Sequence, residues 1–200
     1  MKAISIRQPW AELIVSGRRR MEIRKWNAKH RGPFLIHSPL EVDEEACLRF
    51  KIPNAATGTI IGLSELITAK QLSEERWAFL RSLHLETGPR PYGDNTFGWF
   101  LGESRRFPEP ILYRGRQGFF EVPDSRLPQK RYKVLKGGNI IESIIPGRFA
   151  GYRPDKIFGR LDCKSGMRMN KENRVFFMTW GDAIAEGYRP CKNCNPMPND

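Results

Sequence analysis

Residues 2–26 read KAISIRQPWAELIVSGRRRMEIRKW. KAISI alternates and is rich in β-branched side chains, which reads as a strand. QPWAELIVSG follows, with Pro9 at a helix-starting position, Trp10, Leu13 and Ile14 at helical spacing, and Gly17 as the stop. RRMEIRKW then alternates basic and apolar residues, as a half-buried strand with a cationic face does. In that strand Arg20, Glu22 and Arg24 share one parity, and Met21 and Ile23 share the other. Arg19 stands at the strand's entrance, where Gly17 lets the backbone turn tightly. A carboxylate set among guanidiniums has two readings. It is a solvated ion-pair lattice, or a pocket in which Glu22 orients the arginines toward a phosphate or a base edge. Trp10 and Trp26 flank the stretch as stacking platforms for a base or as core rings, with core the better reading of Trp10.

Further along, GPFLIHS and GTIIGLSELITAK are apolar, Gly-bounded runs expected as central strands. SEERWAFLRSLH, opened by Ser73 and carrying Trp77, Leu80 and His84 along one stripe, predicts a capped amphipathic helix. FGWFLGESRRF and GRQGFFEV close the series as strands. Strands with short helices between them in this order fit a small mixed, partly closed β-barrel. Past Pro123 the texture changes to Pro, Gly and cations. Residues 126–156 are expected to be a basic connector with at most a strand or short helix near NIIESII, and residues 157–200 a small appended domain.

The 200 residues carry a formal charge of +12, distributed as +7 over 1–40, −3 over 41–125 and +8 over 126–200. Basic ends around an acidic middle imply cationic faces that suit a polyanion through counterion release. No apolar run approaches the roughly 20 residues of a membrane span. The opening MKAISIRQPW lacks a leader pattern. The four cysteines are too few and too unevenly spaced for a disulfide framework. The expectation is an intracellular, cytoplasmic-type protein without membrane contact. Cys47, in EEACLRF, reads as a small buried residue.

The other three cysteines read differently. GYRPCKNCNP, residues 187–196, aims Cys191 and Cys194 at one point, and Cys163 lies far enough upstream for RVFF and GDAIAEG to fold back between them. These three are the candidate metal ligands. A structural zinc site takes four, with water, His30, His37, His84 or Asp162 open as the fourth. The remaining alternative is a fold held by packing alone.

The first 125 residues resemble the ASCH domain, a PUA-like β-barrel, through KAISIRQPWAELIVSGRRRMEIRKW, HRGPFLIHS and FGWFLGESRRFPEPILYRGRQGFFEVP. The family signature Gly-x-Lys-x-x-Glu-x-Arg falls on Gly17, Arg19, Glu22 and Arg24. The resemblance implies a cleft for RNA, DNA or a modified base. Some ASCH proteins are amidohydrolases that use the signature lysine, with a Thr where this chain has Glu22. Arg19 stays protonated and cannot serve as that nucleophile or base.

The tail resembles the zinc-binding domain of Ada-type repair proteins at Cys163, Glu172, Asn173, Phe177, Ala183, Gly187, Tyr188, Arg189, Pro190, Cys191, Lys192, Cys194 and Pro196. That family's first cysteine, a ligand and the methyl acceptor, is Gly159 here, so its methyl-transfer route is lost. The resulting expectation is an α+β chain that binds nucleic acid. The site residues are Gln8, Trp10, Arg19, Arg20, Glu22, Arg24 and Trp26, with Lys171, Arg174, Arg189 and Lys192 adding phosphate contacts. The catalytic alternative is a nuclease or nucleoside hydrolase working through Glu22, Lys25 and His37.

Overall fold

A computed structural model describes residues 1–198. The chain divides into two units, Met1–Arg126 and the remainder from Leu127 on. Both are α+β.

In the first unit the alternation of KAISI becomes β1 (Lys2–Ser5), with Ala3 and Ile4 buried. Helix α1 (Trp10–Val15) buries Trp10, Leu13 and Ile14 together with Ala11 and Val15. Gly17, at φ +76°, reverses the chain, and the Arg19 N–H closes the turn on the Leu13 carbonyl at 2.8 Å. This wide turn throws Arg19 inward instead of leaving it on the helix surface. Strand β2 (Met21–Arg24) follows; Met21 and Ile23 join a small core with Leu72 and Trp77, so Glu22 and Arg24 face the other way.

Next come β3 (Gly32–Ser38), α2 (Glu44–Phe50) and β4 (Thr59–Gln71). The predicted SEERWAFLRSLH helix forms as two short pieces, α3 (Glu74–Phe79) and α4 (Arg81–His84), because Leu80 departs from helical geometry. The Ser73 cap is present, accepting from the Arg76 N–H. The expected stripe survives the break, since Trp77 and His84 stack at 4.0 Å. β5 (Phe97–Leu112) and β6 (Phe119–Glu121) complete the sheet, in the order β2-β5-β4-β3-β1-β6. Among the described strands of this sheet, β1 and β3 alone pair in parallel.

The long β4–β5 ladder shifts register three times. Such irregularities bend and twist a sheet. The sheet accordingly rolls round: Trp26, just past β2, lies 5.9 Å from Phe119 on the opposite edge strand. Arg24 Nη2 reaches the Ser5 carbonyl at 2.7 Å. The expected mixed, partly closed barrel is thus a curled sheet whose end strands approach through side chains.

The second unit corrects the reading of residues 126–156 as a connector. They carry β7 (Tyr132–Lys136), β8 (Asn139–Ser143) and β9 (Phe149–Tyr152), all paired into a second six-stranded sheet. The overlooked signal is Gly137-Gly138, both at positive φ, which makes RYKVLK-GG-NIIES a hairpin. The sheet continues with β10 (Ile157–Arg160), β11 (Arg174–Phe177) and β12 (Arg189–Pro190) in the order β12-β10-β9-β11-β7-β8. Helices α5 (Lys164–Met167) and α6 (Trp180–Ala185) flank it. Phe149, Phe158, Val175, Phe177, Ala183 and Tyr188 form the core. Thr179 and Asp182 cap α6 reciprocally. Among the described residues no helix is long and apolar enough to cross a membrane.

Candidate functional site

Arg19 is 2% exposed, and its guanidinium lies 4.3 Å from the Trp10 ring. Its Nη1 donates to Glu86 Oε1 at 2.9 Å and to the His84 carbonyl, while Nη2 faces Glu22 Oε2 at 3.2 Å. Arg24 Nε lies 2.9 Å from Glu22 Oε1, so one buried carboxylate bridges two guanidiniums. These groups line a cleft of about 450 Å³ with Arg7, Trp10, Glu41, Glu86 and Tyr92. Three arginines thus meet three glutamates, and the cleft carries no net charge. Burial lifts the Glu86 carboxyl above its ordinary range, against the pull of the Arg19 guanidinium.

Of the expected readers, the cleft brings together Trp10, Arg19, Glu22 and Arg24. Gln8 is corrected: it is fully buried, its Nε2 donating to the Ala56 carbonyl and its Oε1 accepting from the Glu12 N–H. Its amide holds the start of α1, and full burial keeps it from a base. Arg20 is exposed and lies outside the cleft, because residue 20 precedes β2 and its backbone bridges Leu83 and Leu101. Trp26 packs on Trp99 and Phe119 and does not line the cleft. Sequence reasoning missed Arg7, Glu41, Glu86 and Tyr92. They come from separate loops, and no local pattern joins them to β2.

A second cavity, about 830 Å³, shares Ser5 and Pro39 with the cleft. His37 Nε2 faces the Tyr113 carbonyl at 3.0 Å and therefore carries the ring proton. Nδ1 is then free to accept from the Ser5 hydroxyl at 3.0 Å, with the Arg116 carbonyl competing for that proton at 3.2 Å. Burial holds His37 below the ordinary imidazole range, outweighing the Tyr113 contact. Gly115 passes so close that a β-carbon there would sit 2.3 Å from the ring. The same cavity is lined by Arg114, Arg116 and Arg126, all exposed, and by no carboxylate. These three arginines were also missed: GRQGFFEV reads as one strand, whereas β6 begins only at Phe119 and leaves Arg114 and Arg116 in the preceding loop. Glu22, Lys25 and His37 are not gathered: Glu22 lines the cleft, His37 the second cavity, and Lys25 neither.

His84 is likewise neutral and satisfied, with Nε2 on the Trp77 carbonyl and Nδ1 accepting from the Glu86 N–H, both at 3.0 Å. Burial lowers it, aided by Arg19 and Arg81 and opposed by the Trp77 contact. Both folded-state values therefore lie below the unfolded 6.5. As pH falls below that value the unfolded chain takes up these protons first, so stability is lost. The urea midpoint of the first unit is expected to fall on going from about pH 7.5 to about pH 5.5. The double variant His37→Gln/His84→Gln should flatten that drop, and an unchanged slope in it would refute the assignment.

In the second unit the Cys163, Cys191 and Cys194 sulfurs lie within 4.8 Å of one another. Cys163 opens α5 just after β10. Gly187, then buried Tyr188, lead into β12, and the Cys191 N–H bonds the Phe158 carbonyl at 2.7 Å. Asn193 Nδ2 donates to Ser165 Oγ at 2.8 Å, drawing the Cys191–Cys194 turn onto α5. Burial would raise the Cys163 thiol, but the Gly166 and Ser165 backbone and the neighbouring sulfurs bring it below its ordinary value. Burial pushes Cys194 up to about 11. Three soft sulfurs in one spot fit a zinc ion.

Among the described residues no His, Asp or Glu completes the cluster. Asp162 turns to Arg160 at 3.3 Å, and His30, His37 and His84 have ring contacts within the first unit. Gly159 lies on the fourth side. A β-carbon there would lie 2.8 Å from Cys194 Sγ and 3.7 Å from Cys163 Cβ. Of the four expected phosphate contacts, Arg174 is corrected: its Nη2 braces the α5 loop on the Gly166, Met167 and Met169 carbonyls. Lys171, Arg189 and Lys192 are exposed.

Comparison with protein-family models matches residues 4–79 to the ASCH domain and residues 147–197 to the metal binding domain of Ada. Similar solved structures include ASCH from Zymomonas mobilis, at 14% identity and TM-score 0.48, covering 62% of this chain and 89% of that one. A point mutant of the same Zymomonas mobilis protein gives 14% and 0.48, covering 62% and 91%. No curated protein matches. Residues 4–79 thus carry the ASCH-domain match and residues 147–197 the match to the metal binding domain of Ada, neither spanning half of the chain.

Proposed function

We propose that the chain binds a nucleic-acid strand, taking one unpaired base into the Arg–Glu cleft and its phosphates into the cavity of Arg114, Arg116 and Arg126. The observation that carries this reading is that Ser5 is shared by a charge-balanced cleft and a purely cationic cavity. An uncharged base edge needs donors and acceptors side by side, which Arg24, Arg7, Glu22 and Glu41 supply. Tyr92, 44% exposed, offers a stacking face, while the Trp10 ring is already covered by Arg19 and Arg49. A phosphate needs cations without competing carboxylates. Lys171, Arg189 and Lys192 extend the phosphate contacts in the second unit. Zinc on Cys163, Cys191 and Cys194 would supply folding energy there.

Fluorescence anisotropy of labelled single-stranded RNA and DNA, titrated across salt concentrations, tests the reading. Affinity falling steeply with salt is expected, and no salt-dependent binding to either strand would reject it.

The Ser5–His37 contact supports a second reading, a hydrolase in which His37 Nδ1 takes the Ser5 proton while the Tyr113 carbonyl orients the ring. Cleavage of labelled RNA or DNA that disappears in Ser5→Ala would favour it. Cleavage that persists in that variant would point to contamination.

A further inference from the structure

The three-sulfur cluster has a feature that a purely structural site lacks. Its Gly159 side adjoins a pocket of about 380 Å³, whose wall includes Gly159, Cys163, Cys191, Ser165, Arg168 and Asn193. That volume falls within the range of small-molecule sites, about 300–1,000 Å³. Structural zinc centres are closed by a fourth protein ligand, whereas an open position marks a site that takes up an exogenous one. Among the described residues the open position is built into the backbone, because Gly159, which faces the sulfurs, has no side chain.

Resting on the zinc reading above, we infer that the fourth ligand is an external low-molecular-weight thiol, entering through this pocket and completing a four-sulfur set. Three thiolates leave a zinc ion with a net negative charge. Such a centre is a poor Lewis acid toward water, and its partners are soft thiolates. On binding, the thiol would release its proton to solvent and place its sulfur beside Cys163, Cys191 and Cys194, which would hold the metal, with no oxidation or reduction. The added negative charge is balanced by Arg168 in the pocket wall, and by Lys164 and Lys192, each next in the chain to a cysteine ligand. Ser165 and Asn193, tied to each other at 2.8 Å, present polar atoms to the rest of the guest.

The test uses the full chain, purified in a phosphine reductant and loaded with one equivalent of Co²⁺ in place of zinc. Titration with L-cysteine or glutathione should raise the sulfur-to-cobalt charge-transfer absorption by about one third, as three thiolates become four. Gly159→Cys should show the four-thiolate intensity from the start and no response to added thiol. Gly159→Ala, whose methyl crowds Cys194 Sγ, should weaken thiol binding by about tenfold. A cobalt spectrum in the wild-type chain that ignores added thiol overturns this inference and leaves the zinc reading intact. Failure to take up Co²⁺ or Zn²⁺ at all overturns both.

Discussion

Arg19→Ala is expected to lower the stability of the first unit by about 3–5 kcal/mol, the usual cost of removing one partner from a buried ion pair. Arg19 is buried against Trp10 and answers Glu22, Glu86 and the His84 carbonyl together. Its loss strips Glu22 of one of its two cations. Arg19→Lys keeps the charge but not the forked guanidinium, so it should recover only part of the loss. Arg24→Ala should behave differently, costing only about 1–2 kcal/mol because Arg24 is partly exposed and Glu22 keeps Arg19. Its affinity for single strands should fall at least about tenfold, the order of one lost base contact. Urea unfolding followed by tryptophan fluorescence separates the two, since four of the five tryptophans lie in the first unit. An Arg19→Ala protein that is stable yet fails to bind would show that Arg19 touches the guest directly, and the assignment of roles would be lost.

The second large effect concerns the carboxylate-free cavity. The triple variant Arg114→Ala/Arg116→Ala/Arg126→Ala should bind single strands with a log–log salt slope shallower by about 2, from three phosphates no longer neutralised. All three arginines are exposed, so stability should stay within about 0.5 kcal/mol of the parent. A slope unchanged in this variant would move the phosphates elsewhere. The same loss in Lys171→Ala/Arg189→Ala/Lys192→Ala instead would assign them to the second unit. These outcomes leave the base cleft to be judged separately, through Arg24→Ala.

Where the two readings of the ion-pair lattice stood open, the geometry divides them by residue. Arg19 is locked, as an internal lattice requires. Arg24 keeps one side toward the cleft. The division follows from the turn at Gly17, which carries Arg19 under Trp10 while β2 leaves Arg24 at the rim. The connector reading failed for a different reason. Residues 126–156 are rich in Gly, Pro and cations, and that composition outweighed the alternation on either side of Gly137-Gly138. The hairpin needs β11 as a partner to be stable, and β11 lies some forty residues downstream.

The amino-acid order by itself determined the main strands and helix α1 of the first unit, the inward placement of Met21 and Ile23, the turn at Gly17 and the three candidate metal ligands. All but the pairing of Cys163 with Cys191, which lies 28 residues on, depend on residues a few positions apart, where backbone geometry and side-chain period suffice. Only the tertiary structure decided that Gln8 and Arg174 are consumed internally, that Ser5 joins a neutral cleft to a cationic cavity, and that Gly159 faces the sulfurs. Those relations join residues from separate elements. They arise when a bent sheet and a packed core bring distant segments within bonding distance, and no local pattern encodes such distances.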